Sequence, residues 1–511
     1  DEAMRFIHMH AIPRFVFLKS PVDTGYIEDL IRTYLLENTH GAVVIIRPER
    51  GRTARMDREL AEKLKAYKES LSPEEVQKLV DDTHELEQYQ EEESSPEDLA
   101  KIPVLKRTDI SREIAPIYND EMEIGGVKLV HHNIETNGIG YVTMMFDLSG
   151  IREELLPYVG ILQSVLGIID TTNYEYGELF NEINIHTGGI GTSLELYTDV
   201  TKVKEKEFRA TFEMRGKALY PKMDVLFSMM REILMESRLD DEKRLKEILA
   251  MLKSRLLASF LSSGHTTAAL RALSYTSPMS KFKDDTDGIG FYEAVKKIEE
   301  DFDGQKETLI RNLKEIARRI FRADNLMISY TSSEEGIEPM TKAFAAVKDS
   351  LYTGGEIPDE ACILHCRKRN EGFKTSSKVQ YVARVGNFID GGQKYSGTLQ
   401  ILKVILGYDY LWQNIRVKGG AYGCMSNFNR IGDAYLISYR DPNLERTMEV
   451  YEGVVDYLKN FNVSDRDMNK FIIGTMSSLD RPMNPAAKGA RSMNLYMNRV
   501  SEDLPALAAN H

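Results

Sequence analysis

The chain has 511 residues, 42% of them hydrophobic, and a formal net charge of -13. Its length exceeds one ordinary core and predicts about three folded units, while no apolar run approaches the ~20 residues that cross a bilayer, which excludes a transmembrane helix. The acidic balance argues against a nucleic-acid surface, which needs clustered Lys and Arg, and the three cysteines, Cys362, Cys366 and Cys424, give no disulfide framework and suit a reducing compartment.

The run from Ala42 to Pro48 reads as a strand. From Thr53 to Leu105 dense charge repeats with helical periodicity and predicts two helices. Ser72-Pro73-Glu74-Glu75 supplies an N-cap, a proline at the first helical position and a capping-box glutamate. Ser95-Pro96-Glu97-Asp98 starts another turn, and the charges in between read as a solvated face.

From Glu121 the pattern changes to short strands and turns. Met122 and Ile124 alternate before Gly125-Gly126, and Val127 and Leu129 alternate after it, as in a hairpin. Ile139 to Leu148 is a second strand. In Glu207 to Met214 the residues Phe208, Ala210, Phe212 and Met214 face one way and Glu207, Arg209, Thr211 and Glu213 the other, which predicts one buried and one wet face. Amphipathic helices follow over 153–166, 222–236 and 241–260. The class is therefore α+β: antiparallel sheets packed with helices.

This unit occurs twice. The strand ending at Leu148, the helix ending Leu162-Gln163-Ser164-Val165-Leu166-Gly167 and the stretch Leu179 to Gly189 parallel the strand Val379 to Val385, the helix ending Leu402-Lys403-Val404-Ile405-Leu406-Gly407 and the stretch Leu411 to Gly420. With one inserted residue before the first Gly-Gly, Ile183 matches Ile415 and Asn184 takes the place of Arg416.

The second copy carries Asn414-Ile415-Arg416-Val417-Lys418-Gly419-Gly420-Ala421-Tyr422-Gly423, in which a guanidinium and a phenol flank a glycine turn. Both side chains donate hydrogen bonds, and Gly419 and Gly420 allow backbone geometry that other residues resist. The stretch supports two readings: a turn that aims Arg416 and Tyr422 at one peptide carbonyl, or a hairpin whose tyrosine packs in the core while its arginine makes a surface ion pair.

Elsewhere along the chain stand Leu35-Leu36-Glu37-Asn38-Thr39-His40, Thr172-Asn173-Tyr174, His186-Thr187-Gly188-Gly189, Gly264-His265 near Ala268, Asn370-Glu371-Gly372-Phe373 before Val379-Gln380-Tyr381-Val382, and Asp441-Pro442-Asn443. In this order, over nearly the whole length, they resemble the C-terminal half of the presequence-protease branch of the insulinase-like (pitrilysin) zinc metallopeptidases. The resemblance implies four related α/β domains in the whole enzyme. Here 1–52 would end the second, 53–120 form a helical hairpin linker, 121–350 the third and 351–511 a truncated fourth. It implies that Arg416 and Tyr422, with Gly419 and Gly420 between them, bind an unfolded peptide substrate and reach across a closed chamber to a zinc site. It also implies that an N-terminal zinc-binding half of the same protein is the partner.

The family's zinc motif, His-x-x-Glu-His, is not found around the chain's ten histidines. His132-Asn133-Ile134-Glu135 has Thr136 in the fifth position, His84-Glu85 lacks a second histidine, and His8 and His10 have no glutamate between them. Cys362-Ile363-Leu364-His365-Cys366 lacks a second ligand cluster and reads as a strand with buried thiols. Lys283, Asp285, Asp287 and Gly288 imitate a calcium loop but place lysine first and Ala294 last. Gly188-Gly189-Ile190-Gly191 has no Walker lysine. No metal is therefore expected in this chain and no catalytic residue; zinc is expected in the parent enzyme, and the isolated chain is expected to be inactive. The alternative is a catalytically inactive peptide-binding or assembly module of the same fold. The expected compartment is cytoplasmic, or an organelle matrix. Asp1 reads as lying inside a domain and Ser501-Glu502-Asp503-Leu504 as a helix start, so the chain is expected to be a fragment cut at both ends.

Overall fold

The structure is a computed structural model that describes residues 11–92, 94–111, 114–354 and 364–500. His8, His10, Cys362 and the expected helix start at Ser501 lie outside the described residues. The chain forms two compact units, Asp1–Pro103 and Val104–His511.

The first unit is helical. Its long helices Arg52–Ser70 and Pro73–Glu91 are those that the charge periodicity predicts. The capping box at Ser72 is complete: the hydroxyl accepts from the Glu75 N–H at 3.2 Å, and the Glu75 carboxylate accepts from the Ser72 N–H at 2.8 Å. Ser95 likewise accepts from the Asp98 N–H at the start of the helix Pro96–Lys101. The expected strand from Ala42 to Pro48 is not formed. No other strand occurs among the described residues of this unit, so its backbone has no ladder partner, and Val43, Val44, Ile45 and Ile46 stay exposed.

The described residues of the second unit form nine strands in two sheets. The larger comprises β1 (Asp120–Ile124), β2 (Val127–Asn133), β3 (Ile139–Asp147), β4 (Ile190–Tyr197), β5 (Arg209–Leu219) and β6 (Leu326–Ser332), ordered β1-β2-β6-β3-β5-β4. Gly125 and Gly126 turn β1 into β2 with φ of +56° and +81°, a pair of left-handed residues that suits a tight hairpin. The sheet is antiparallel except for β2 and β6, which run parallel. The long crossover between them, which contains β3 to β5 and the helices from Leu156 to Ile320, permits that direction.

One face of this sheet carries the main core. Phe146 on β3 and Phe212 on β5 meet Phe321 edge to face at 5.3 and 5.2 Å. As the alternation predicts, Ala210, Phe212 and Met214 are buried. The opposite face was expected to be wet, and there the structure differs. Thr211 and Glu213 are also buried, because the helix Pro485–Met497 brings Met493 and Met497 onto Val130, Met145 and Tyr197. Glu213 is satisfied under that cover: Tyr197 donates to it at 2.6 Å, Thr211 at 3.0 Å and Arg215 at 2.8 Å.

The smaller sheet comprises β7 (Ala383–Asn387), β8 (Gly423–Phe428) and β9 (Asp433–Tyr439), ordered β7-β9-β8 and antiparallel throughout. The same arrangement is embedded in the larger sheet as β3-β5-β4. The two copies therefore share strand order as well as sequence pattern, with β7, β8 and β9 in the places of β3, β4 and β5.

Candidate substrate-binding turn

The segment between β7 and β8 begins as the α-helix Thr398–Ile405 and widens into the π-helical turns Leu406–Tyr410 and Trp412–Val417. Leu411 and Ile415 are its buried anchors. Each is followed by a residue directed outward, Trp412 and Arg416 respectively.

The glycines end this segment. Gly420 is left-handed at φ +75°, which lets the N–H groups of Gly420 and Ala421 turn back to the carbonyls of Arg416 and Ile415 at 2.9 and 3.0 Å. A Cβ at Gly419 would sit 2.4 Å from the Ile415 carbonyl oxygen, closer than atoms can approach. The Tyr422 N–H then donates to the carbonyl of Tyr439 at 3.0 Å, which fastens the turn to β9.

Arg416 and Tyr422 meet across this turn. The guanidinium lies over the Tyr422 ring, 5.3 Å from its centroid, and over the Trp412 ring at 4.5 Å, and it donates to the Tyr422 carbonyl. Among the described residues no carboxylate pairs with Arg416. Tyr422 is 64% exposed and its hydroxyl has no partner among the described residues. The hairpin reading, with a core tyrosine and an ion-paired arginine, does not describe this geometry.

Aromatic contacts extend the site. The Tyr422 ring meets Tyr439 at 5.9 Å, and Tyr439 meets His265 at 4.8 Å and Tyr381 at 5.8 Å. Gly264 is required here because a Cβ would lie 2.2 Å from the Tyr381 ring. Burial holds the pKa of His265 below its usual value, and its Nδ1 is buried without a partner among the described residues. On the other flank the Gln380 and Asp441 backbones exchange hydrogen bonds at 2.8 and 2.9 Å. Buried Asp441 accepts from the Asn443 N–H at 2.8 Å and from Thr447 at 2.6 Å. Several landmarks that stand far apart in sequence thus surround one turn. Glu371 forms a separate knot: Arg271 donates to it at 2.9 Å and Tyr275 also donates, which holds its carboxyl down at about 2.

Trp412 and Tyr439 were missed by the sequence reasoning, and His265 entered only as part of a landmark. A signal for Trp412 was available, since it precedes Arg416 by four residues and so shares its helical face. In the first copy Asn184, in the place of Arg416, is exposed and donates to the Phe180 carbonyl at 2.7 Å.

Among the described residues no group of three His, Cys, Asp or Glu side chains is arranged to hold a metal ion. His132 of the partial zinc motif is buried within β2, between the Tyr118 carbonyl and the Ser329 hydroxyl. His84 lies on an exposed helix beside Glu87. The calcium-like stretch is helical, with Lys281 paired to Asp285. The expected strand around the cysteines does not form over 364–366; His365 bonds instead to Glu153 at 2.8 Å, and burial pushes the half-buried Cys366 thiol up. No described helix is long and apolar enough to cross a membrane.

Two family models match the chain: one for the region associated with peptidases of family M16, subfamily C, over residues 46–298, and "PreP C-terminal domain" over 370–505. Protein HypA of Clostridium perfringens is 37% identical over 98% of this chain and 51% of its own length. Presequence protease 1, chloroplastic/mitochondrial, of Arabidopsis thaliana is 27% identical over 93% of this chain and 44% of its own. The chain thus spans about half the length of these curated relatives. A solved peptidase M16 inactive domain from Pseudomonas fluorescens superposes with a TM-score of 0.50 at 13% identity, covering 77% of this chain and 90% of that one, a likeness of fold. The chain belongs to the presequence-protease branch of the M16 peptidases and corresponds to its C-terminal half.

Proposed function

We propose that the chain is the substrate-binding half of a zinc metalloendopeptidase that degrades unfolded peptides in a closed chamber formed with an N-terminal half. The observation that carries this reading is the pair Arg416 and Tyr422: a cation without a carboxylate partner among the described residues, beside an exposed phenol, on a turn where Gly419 leaves no room for a side chain and Gly420 is left-handed.

Attack on a peptide bond places negative charge on the carbonyl oxygen. Donors fixed about 3 Å from that oxygen lower the barrier. Arg416 and Tyr422 supply such donors, while the peptide lies extended along a sheet edge of the other half. In this reading the zinc belongs to the other half, and no step is assigned to it in this chain. The domain reading follows: 1–52 ends the second domain, 53–120 links the halves, and 121–350 and 351–511 are the third and fourth.

Reconstitution tests the division of labour. The N-terminal half and this chain, mixed, are expected to cleave an unfolded peptide that neither cleaves alone. Cleavage by this chain alone contradicts the proposal, as does full activity of the N-terminal half without it.

A further inference from the structure

We propose that Trp412 is a positioning residue that holds the Arg416 guanidinium in the orientation it uses toward substrate, an inference that rests on the functional reading above. A free arginine side chain samples many rotamers, and its usual restraint is a carboxylate that takes two of its N–H groups. Arg416 has no such restraint among the described residues. It lies instead over two rings, Trp412 at 4.5 Å and Tyr422 at 5.3 Å, with one N–H directed to the Tyr422 carbonyl. A ring face attracts the guanidinium without accepting an N–H in a conventional hydrogen bond, so the N–H groups other than the one at the Tyr422 carbonyl are not consumed. An ion pair would consume those donors; an aromatic clamp orients them and leaves them available.

The clamp is built into the backbone. Leu411 and Ile415 are both buried, and the residues following them, Trp412 and Arg416, emerge together from the same π-helical turn. The first copy supplies an internal comparison. There Leu179 and Ile183 are the buried anchors, Phe180 and Asn184 the residues that follow, and Phe180 is 63% exposed where Trp412 is 37% exposed. An aromatic is present at the same offset, but its neighbour is an amide engaged by its own helix.

The test uses the enzyme that contains both halves. Trp412→Ala is expected to lower kcat by on the order of ten- to a hundredfold with KM much less changed, and Trp412→Phe to recover most of it. On an Arg416→Ala background, Trp412→Ala is expected to add nothing, because the group it positions is gone. Normal kcat in Trp412→Ala overturns the inference, and so does a loss that adds in full to that of Arg416→Ala. If Arg416→Ala itself leaves turnover intact, the functional reading fails and this inference with it; an impaired Arg416→Ala beside a normal Trp412→Ala removes this inference alone. Should Trp412→Ala not fold, the 511-residue chain decides. Trp412 is its single tryptophan, so Arg416→Ala must change its emission while Asn184→Ala does not. Unchanged emission contradicts the clamp.

Discussion

Asn443 donates its side-chain amide to the carbonyl of Gly419 at 2.6 Å, which ties the loop after β9 to the turn that presents Arg416 and Tyr422. Asn443 is held in turn by Asp441 through its own N–H. Asn443→Ala removes one bond to a half-buried carbonyl, a loss of about 1 kcal/mol. Urea unfolding of this chain should register that small drop, and the two-half enzyme should lose turnover by more than the stability change accounts for. Unaltered turnover removes the loop from the site.

The two glycines should respond differently. Gly420→Ala places a side chain in a left-handed conformation with only an ordinary contact, 3.7 Å to the Pro442 side chain, so its cost is the backbone one, about 1–2 kcal/mol. Gly419→Ala drives a methyl into the Ile415 carbonyl and requires the turn itself to move. Denaturation midpoints should therefore fall further for Gly419→Ala. An equal or reversed order means that the turn is not closed as described.

Glu371 predicts an acid-side stability slope. Its carboxyl is held at about 2 against an ordinary 4.5, first by the hydrogen bond from Arg271. A depressed folded pKa contributes stability that is complete above the unfolded value and is lost as pH falls toward the folded one. Urea midpoints measured from about pH 5 down to about pH 2.5 should fall less steeply in Glu371→Gln than in the native chain. Identical slopes would show that the knot with Arg271 and Tyr275 is not formed.

Under the helix Pro485–Met497, Tyr197→Phe withdraws one of the donors to buried Glu213 and leaves Thr211 and Arg215 in place. The expected loss is about 1 kcal/mol. Glu213→Ala strands the Tyr197 hydroxyl and should cost more, about 1–3 kcal/mol. Thermal unfolding of both variants orders them, and equal midpoints would mean that this face of the sheet is wet after all.

Local pattern made much of the fold legible. The Gly125-Gly126 hairpin, the Ser72 capping box and the Phe212 face of β5 each follow from residues within a few positions of one another. What sequence could not show is what arrives from afar. Thr211 and Glu213 look like a solvated face because the methionines that cover them, Met493 and Met497, lie far along the chain. Val43 to Ile46 have strand composition, yet a strand exists only where a partner pairs with it. The parallel pairing of β2 with β6 depends on the crossover between them. At the candidate site the donors and glycines stood in one decapeptide, whereas Tyr439 and His265 join only through packing.

The most direct measurement is the turnover of an unfolded peptide by the two-half enzyme bearing Arg416→Ala or Tyr422→Phe, with bound zinc assayed in the same preparations. The account predicts a fall on the order of a hundredfold in each variant while zinc content stays at the native level. Native turnover in both would contradict it.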